Sequence, residues 1–283
     1  MQIAMASGKG GTGKTTLATN LARVAADDGR RVVYMDCDVE EPNGHIFLPP
    51  ENTVECSIDK RVPQVDVDRC LQRGDCEDIC QYNAIVCVGG PPIVFPDLCH
   101  ACGGCVLVCP SRALQEVTRS IGRLRMGDSG GIGFLDGALD IGQHMGPPAI
   151  RAVKRAAPEA DLLIIDAPPG TSCPAVEAVR GSDFVVLVTE PTPFGLNDLK
   201  LAVEMVRTLK LAVGVVVNRA GVDGQSLRTY CRLARVPIIG ELPDDRAVAE
   251  AYSRGQLASR VVRGYRQRIE TLLQDVLSIV ESS

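Results

Sequence analysis

The sequence predicts an α/β protein built on a doubly wound, mostly parallel β-sheet, with a small α+β domain inserted into it. Continuous apolar runs such as Leu162–Ile165 are typical of strands covered on both faces, and they alternate along the chain with helical segments. Between residues 63 and 117 this alternation stops and cysteines are concentrated. We therefore predict a discontinuous domain, residues 1–62 and 118–283, that is interrupted by an inserted domain, residues 63–117.

The opening of the chain predicts a βαβ unit. A short buried strand, Gln2–Ala6, leads into a glycine-rich loop and then into a helix over about 14–28 with apolar residues on one face. Arg31–Met35 is the next strand, and Asp36 and Asp38 follow it directly. Two strands joined through a helix predict parallel pairing, with the acidic residues at the carboxyl edge of the sheet.

The α/β pattern resumes after the cysteine-rich segment and a glycine-rich strand-and-turn region that extends to about Gly146. Four apolar runs predict strands, and amphipathic stretches between them predict helices. A last amphipathic helix is expected to pack on the sheet, because its polar face mixes acidic and basic residues. The strands are Leu162–Ile165, Phe184–Val188, Val213–Val217 and Pro237–Ile239, and the helices span about 149–155, 195–209, 226–234, 246–252 and 265–280.

Composition limits the classes of function. The 283 residues suffice for one large and one small domain, and with 4% aromatic residues and no Trp the core must be aliphatic. A net charge of -5 without a basic run argues against a nucleic-acid partner. No apolar run reaches the ~20 residues of a membrane span, and no signal peptide is indicated. We expect a cytoplasmic protein, in which the 12 cysteines favour metal ligation over disulfides.

The glycine-rich loop has the pattern Gly8-x4-Gly13-Lys14-Thr15, which is that of a phosphate-binding P-loop in its required strand–loop–helix context. Backbone N–H groups of such a loop and the helix N-terminus face phosphate oxygens. We expect Lys14 to reach the β- and γ-phosphates of ATP and Thr15 to bind Mg²⁺. The alternative, a chance glycine-rich turn, fits this context poorly. The predicted nucleotide contacts in the loop are Gly8, Gly10, Gly11, Thr12, Gly13, Lys14, Thr15 and Thr16.

Further segments extend this motif to a family resemblance. The chain resembles the MinD/Mrp/nitrogenase-iron-protein superfamily of ATPases with a deviant Walker A motif, and in particular a subgroup with a bacterial-ferredoxin-like domain inserted after switch I. The resemblance covers the chain outside the cysteine-rich segment. The matching segments are Lys9-Gly-Gly-Thr-Gly-Lys14-Thr15-Thr16, Asp36-Cys-Asp38-Val-Glu-Glu-Pro-Asn43 (switch I), Ile164-Ile-Asp166-Ala-Pro-Pro-Gly170-Thr171 (Walker B and switch II), Val216-Val-Asn218-Arg219 and Leu242-Pro243-Asp244-Asp245.

The resemblance implies roles for individual residues. Lys9 would cross an ATP-sandwich dimer, formed with a second copy or a related ATPase, to the partner's phosphates. Asp38 would orient the attacking water, so that Lys9, Lys14 and Asp38 form the catalytic set. The Mg²⁺ ion would be held by Thr15 and, through its waters, by Asp36 and Asp166. Gly170 would sense the γ-phosphate, and the adenine side would be formed by Asn218, Arg219, Pro243 and Asp245.

The second half of the cysteine-rich segment reads Cys99-x2-Cys102-x2-Cys105-x3-Cys109-Pro110, the pattern of a bacterial ferredoxin. In two-cluster ferredoxins the fourth cysteine of each run binds the other cluster. One [4Fe–4S] cluster is therefore predicted on Cys99, Cys102, Cys105 and Cys80. Zinc is the alternative, but the trailing Cys-Pro is typical of a cluster.

The first half departs from this pattern, because Arg73 occupies the position of the second cysteine in Cys70-x2-Arg73-x2-Cys76-x3-Cys80. A guanidinium offers only donors and is a poor iron ligand. We predict a second cluster of the [3Fe–4S] type; a [4Fe–4S] cluster with a non-protein ligand or Cys87, or an empty site, are the alternatives. Cys87 lies in an apolar run and is expected to be a packing thiol. The predicted ligands are Cys70, Cys76 and Cys109.

These motifs together predict an ATP-hydrolysing iron–sulfur protein. Its leading function couples nucleotide-driven dimer closure to electron transfer or to redox control of a partner protein. One alternative is an iron–sulfur cluster carrier or scaffold, although Mrp-like carriers typically have a C-terminal Cys-x-x-Cys that this chain lacks. Another is a MinD-like spatial regulator in which the clusters are structural.

Overall fold

The main sheet of the computed structural model, which describes residues 1–221 and 224–281, has nine strands. Two further short strands, β4 and β5, form a separate antiparallel pair. The strands are β1 (Gln2–Ala6), β2 (Val32–Asp36), β3 (Glu51–Val65), β4 (Ile85–Val86), β5 (Ile93–Val94), β6 (Leu114–Asp128), β7 (Ile132–Leu139), β8 (Leu162–Asp166), β9 (Phe184–Thr189), β10 (Val213–Ala220) and β11 (Ile238–Pro243).

Helices cover both faces of this sheet. One core cluster joins the sheet to the first helix and the last three helices. The other joins the sheet to the four helices over residues 146–156, 173–179, 193–208 and 225–234. None of the helices in the described part of the chain is both long and apolar enough to cross a bilayer. The helices are α1 (Lys14–Asp27), α2 (Asp75–Asp78), α3 (Gly104–Leu107), α4 (Gly146–Ala156), α5 (Cys173–Val179), α6 (Pro193–Thr208), α7 (Gln225–Ala234), α8 (Arg246–Ser253), α9 (Ala258–Val261) and α10 (Tyr265–Glu281).

The strand order is β11-β10-β9-β1-β8-β2-β7-β6-β3. Neighbours from β11 to β7 are parallel, whereas β6 is antiparallel to β7 and β3 is antiparallel to β6. The prediction of an α/β fold with a mostly parallel sheet is confirmed. The register places Asp36 of β2 beside Asp166 of β8, so that the two acidic strand ends meet at one edge of the sheet.

The long antiparallel ribbon of β3 and β6 was not predicted from the sequence. Most side chains of β3 are exposed, so the strand lacks the apolar pattern from which strands are recognised. It also contains Pro63, which has no backbone N–H and is tolerated because β3 is the edge strand of the sheet. The ribbon exists because its two arms pair along their whole length, from Glu51 opposite Asp128 to Val65 opposite Leu114.

The cysteine-rich segment, residues 66–113, connects the far ends of the two ribbon arms. The predicted domain bounds of 63 and 117 therefore include the last residues of β3 and the first of β6. Within the segment the run Cys70–Cys80 is repeated by the run Cys99–Cys109. The backbone repeats as well, because corresponding positions adopt the left-handed conformation, which is uncommon for residues other than glycine. These pairs are Gln72 (φ 54°) and Ala101 (φ 53°), Gly74 (φ 83°) and Gly103 (φ 73°), and Asn83 (φ 49°) and Arg112 (φ 52°).

Candidate nucleotide site and cysteine-lined cavities

The glycine-rich loop connects β1 to α1 at the carboxyl edge of the sheet. Gly13 caps α1 in a left-handed conformation, with φ 96°, that disfavours other residues. Gly8 faces α6, where an added Cβ would overlap the backbone of Asp198. The side-chain amide of Asn218, on β10, donates to the Thr12 carbonyl over 2.8 Å. The loop is therefore held by its contacts with α6 and β10 and by its junction with α1.

A cavity of about 420 Å³ lies above this loop. Its walls bring together the loop, switch I and both segments that were assigned to the adenine side. Of the predicted residues, Gly10, Gly11, Gly13, Lys14, Thr15, Thr16, Asp38, Asn218, Arg219, Pro243 and Asp245 line it, whereas Gly8, Lys9, Thr12, Asp36, Asp166 and Gly170 are not among its lining residues. Lining residues that were not predicted are Glu41, Asn43, Pro169, Asp244, Val248, Ala249 and Tyr252.

Asp36 and Asp166 form a buried acidic pair below the cavity, with exposed fractions of 0% and 1%. Burial and the charge of Asp166 hold the pKa of Asp36 well above its usual range. Burial also raises the pKa of Asp166, although the Thr15 hydroxyl, the Lys14 charge and the Tyr34 hydroxyl oppose this shift. Tyr34 donates to Oδ2 of Asp166 over 3.0 Å. A cation at this edge would offset the repulsion by Asp166 that contributes to the raised pKa of Asp36.

Oδ1 of Asp166 is buried and has no hydrogen-bond partner among the described residues. The Thr15 hydroxyl faces the same carboxylate. An unpartnered carboxylate oxygen beside a hydroxyl is an oxygen ligand set of the kind that Mg²⁺ takes together with waters and phosphates. The residues present therefore fit a magnesium site at the carboxyl end of β8.

Asp36 uses its carboxylate to fix the segment that follows β2. Oδ1 accepts from the Asp38 amide over 3.1 Å, and Oδ2 accepts from the amides of Asn43 over 3.0 Å and Gly44 over 2.8 Å. These bonds hold residues 38–44 as a loop beside the cavity. Sequence reasoning assigned Asp36 only to Mg²⁺ and did not foresee this positioning role.

Lys14 and Asp38 both line the cavity, and their charges interact. Burial lowers the pKa of Lys14, and the charges of Asp166, Asp38 and Asp36 oppose that shift. Burial and the charge of Asp166 raise the pKa of Asp38 to about 6, while Lys14 acts in the opposite direction. A bound triphosphate would give the Lys14 ammonium an additional anionic partner.

Lys9 lies outside the cavity and is paired with a residue that was not predicted. Its Nζ is 3.2 Å from Oε2 of Glu190, and Arg219 donates to Oε1 of the same carboxylate over 2.5 Å. Glu190 directly follows β9 at the carboxyl edge, a position that could have suggested it. Gly170, with φ 90°, donates from its amide to the Ser7 carbonyl over 2.9 Å, which ties switch II to the end of β1.

The first cysteine-lined cavity is shared by the two halves of the cysteine-rich segment. It brings together all four cysteines predicted for the [4Fe–4S] cluster, including Cys80 from the other half of the repeat. Backbone amides donate to two of the sulfurs, from Ala84 to Cys80 over 3.3 Å and from Ala101 to Cys99 over 3.4 Å. The thiols that line this cavity are Cys80, Cys99, Cys102 and Cys105.

The second cavity is lined by the three cysteines predicted for the other cluster and by Cys87. Arg73 lies at its rim, where the guanidinium forms an ion pair with Asp75 over 3.0 Å. In the part of the chain that the structure describes, no three His, Cys, Asp or Glu side chains converge as they would on a single metal ion. The sulfurs instead line two separate cavities. The lining thiols are Cys70, Cys76, Cys87 and Cys109.

Comparison with known proteins identifies the family. A family model for the CobQ/CobB/MinD/ParA nucleotide binding domain matches residues 3–258. An uncharacterised protein of Methanocaldococcus jannaschii is 32% identical over 227 residues, 79% of either chain. An iron-sulfur cluster carrier protein of the same organism is 24% identical over 78% of this chain and 60% of its own. The septum site-determining protein MinD of Pyrococcus horikoshii, solved with Mg-ADP, has the same fold, with a TM-score of 0.61 at 20% identity over 97% of this chain and 95% of its own. The chain belongs to the CobQ/CobB/MinD/ParA family of nucleotide-binding domains.

Proposed function

We propose that this protein is a Mg²⁺-dependent ATPase that carries two iron–sulfur clusters and couples nucleotide-driven dimer closure to electron transfer or to redox control of a partner protein. The observation that carries the proposal is one chain with a P-loop cavity and two separate cavities lined by four thiols each. The proposal includes a homodimer, or a heterodimer with a related ATPase, a redox partner protein and a cytoplasmic location. It also includes a ferredoxin-like domain over residues 63–117.

The nucleotide cavity supplies what phosphoryl transfer requires, which is positioning and neutralisation of charge. The loop amides and Lys14 would hold the phosphates, Asn218, Arg219, Pro243 and Asp245 would surround the base, and Asp38 would orient the attacking water. Mg²⁺ would be held by Thr15 and by the Asp36–Asp166 pair, and it neutralises phosphate charge when bound. The Mg-ADP found with the MinD of Pyrococcus horikoshii supports this assignment.

The thiols of both cavities fit iron–sulfur clusters, which bind through cysteine thiolates and carry single electrons. Amide hydrogen bonds to the ligand sulfurs, such as those to Cys80 and Cys99, are among the contacts that set a cluster's reduction potential. Each thiol would release its proton to solvent on binding iron.

Chain connectivity supports the coupling between the two kinds of site. The loop of residues 38–44, which Asp36 fixes beside the cavity, leads through a short 3₁₀ turn into β3, the ribbon arm that ends at the cysteine-rich segment. The same loop is bonded to the sheet, since the Leu139 amide of β7 donates to the Val39 carbonyl over 2.8 Å. A change of switch I on closure around ATP would therefore act directly on the base of the ribbon.

The coupling predicts that ATP changes the reduction potential of at least one cluster. Redox titration of the anaerobic protein, followed by optical and EPR spectra, should show a shift of about 59 mV or more when ATP is added, equal to a tenfold change in a one-electron equilibrium. Lys14→Ala protein, treated in the same way, is the control in which no shift is expected. Equal potentials with and without ATP would contradict the coupling.

Replacement of Asp38 by asparagine tests the assignment of the water-orienting residue. A carboxylate that acts on the attacking water stabilises the transition state, so the turnover rate should fall about 100-fold or more while ATP affinity is retained. Single-turnover hydrolysis and equilibrium nucleotide binding measure the two effects separately. Hydrolysis of ATP by Asp38→Asn at the wild-type rate would show that another residue positions the water.

An iron–sulfur carrier is the second candidate, and the similarity to the iron-sulfur cluster carrier protein of Methanocaldococcus jannaschii favours it. For a carrier, ATP would release a cluster to an added apo-ferredoxin instead of shifting a potential. A MinD-like spatial regulator with structural clusters would show neither effect. The redox titration and a transfer assay with apo-ferredoxin therefore distinguish all three functions.

A further inference from the structure

We propose that Cys87 is the fourth thiolate ligand of the second cavity, so that this cavity holds a [4Fe–4S] cluster instead of the [3Fe–4S] cluster expected from three cysteines. The inference rests on the proposed iron–sulfur function and specifies the ligands of one of its two sites. It selects one of the alternatives that the sequence left open, and it assigns to Cys87 a ligand role in place of the expected packing role.

The position of Cys87 carries the first step. Cys87 follows β4 directly and is half-buried in the wall of the cavity that Cys70, Cys76 and Cys109 also line. Its sulfur is 4.0 Å from that of Cys76. This distance is far longer than the ~2.05 Å of a disulfide, and both cysteines are free thiols. Four thiols from separate parts of the segment therefore surround one space.

The corresponding positions of the two halves also place Cys87 at the cavity. Arg73 corresponds to Cys102 of the other half, and Cys87 corresponds to Glu116. Glu116 also lines its cavity, where it forms an ion pair with Arg61 over 3.3 Å. The position of Cys87 thus faces the cavity in both halves of the repeat. The half with Arg73 in place of the second cysteine has the Cys87 thiol at this cavity-facing position, and the half with Cys102 has a carboxylate there.

Because Arg73 occupies the position of a ligand cysteine, the second cavity needs a thiolate from outside the ferredoxin spacing. Its side chain is 60% exposed, and its guanidinium is paired with Asp75 at the rim of the cavity. A guanidinium stays protonated and has no lone pair to offer to iron. A cubane at this site therefore needs a thiolate from elsewhere, and Cys87 is the additional thiol in the wall.

Iron analysis and EPR of the anaerobically purified protein test the assignment. The wild type should contain about eight irons per chain, be EPR-silent as isolated and show reduced [4Fe–4S] signals with dithionite. Cys87→Ala should contain about seven irons, because the unligated iron is lost as Fe²⁺, and the remaining [3Fe–4S]⁰ cluster should give the EPR signal of [3Fe–4S]⁺ once thionine, added equally to the wild type, removes one electron. Cys56→Ala, which removes an exposed thiol of the ribbon away from both cavities, is the matched control and should match the wild type.

A rescue variant keeps the test decisive if Cys87→Ala is unstable. Arg73→Cys in the Cys87→Ala background returns a thiolate at the position of the ferredoxin pattern and should restore the eighth iron and the EPR-silent state. A [3Fe–4S] signal of equal intensity in the wild type and in Cys87→Ala would overturn the assignment, as would two intact [4Fe–4S] clusters in Cys87→Ala. A wild type without iron would instead contradict the proposed function on which the assignment rests.

Discussion

Lys14→Ala is expected to abolish ATP hydrolysis, with a loss of at least about 100-fold, because a charge that neutralises the transferring phosphate is removed. The Lys14 ammonium is buried at the base of the cavity, and three carboxylates surround it. Without this cation the triphosphate would meet the acidic group of Asp36, Asp38 and Asp166 with only the loop amides and Mg²⁺ to offset it. Nucleotide affinity should therefore fall together with the rate.

Lys9→Ala is the matched control for this experiment. It removes the same charge from the same loop, but Lys9 is paired with Glu190 outside the cavity and is not among its lining residues. Equilibrium binding of a fluorescent ATP analogue should be near the wild-type value in Lys9→Ala and strongly weakened in Lys14→Ala. Sedimentation in the presence of ATP should show weaker self-association of Lys9→Ala, as the sandwich-dimer role implies. Equal loss of nucleotide affinity in the two variants would contradict these different roles.

The parts of the fold that could be predicted from the sequence are those in which one local signal decides the outcome. β1, β8 and β9 are continuous apolar runs, and the glycine-rich loop has a fixed pattern between a strand and a helix. The ribbon of β3 and β6 has no such signal. Its stability comes from pairing between residues such as Val62 and Val117, which lie far apart in sequence, and from the edge position that tolerates Pro63.

The same limit applies to the sites. The nucleotide loop and the ligand cysteines could be assigned because their spacing is regular. Glu190, which holds Lys9, and the amide contacts of Asp36 depend on where strand ends meet in three dimensions. Cys87 lies outside the ferredoxin spacing and within an apolar run, so the sequence favoured a packing thiol. Only the fold of the segment brings it to the cavity of Cys76.

Cys80→Ser is expected to convert the [4Fe–4S] cluster of the first cavity into a [3Fe–4S] cluster, although Cys80 belongs to the other half of the sequence repeat. The structure places its thiol with Cys99, Cys102 and Cys105, while Cys109 from their half lines the opposite cavity. In the proposed assignment the two halves therefore exchange their last ligand, in the manner of a two-cluster ferredoxin. A hydroxyl is a much poorer ligand for iron in a cluster than a thiolate.

The placement of Cys80 at the first cavity and Cys109 at the second can be tested by comparing single and double variants. Cys80→Ser and Cys102→Ser should each lose about one of about eight irons, and the double variant, with two thiolates left in the first cavity, should lose the whole cluster and about four irons. Cys109→Ser paired with Cys102→Ser is the matched control, which leaves three thiolates in each cavity and should lose about two irons. The opposite pattern, with a loss of about two irons for the Cys80 and Cys102 pair and about four for the Cys109 and Cys102 pair, would mean that each cluster takes its ligands from its own half of the repeat.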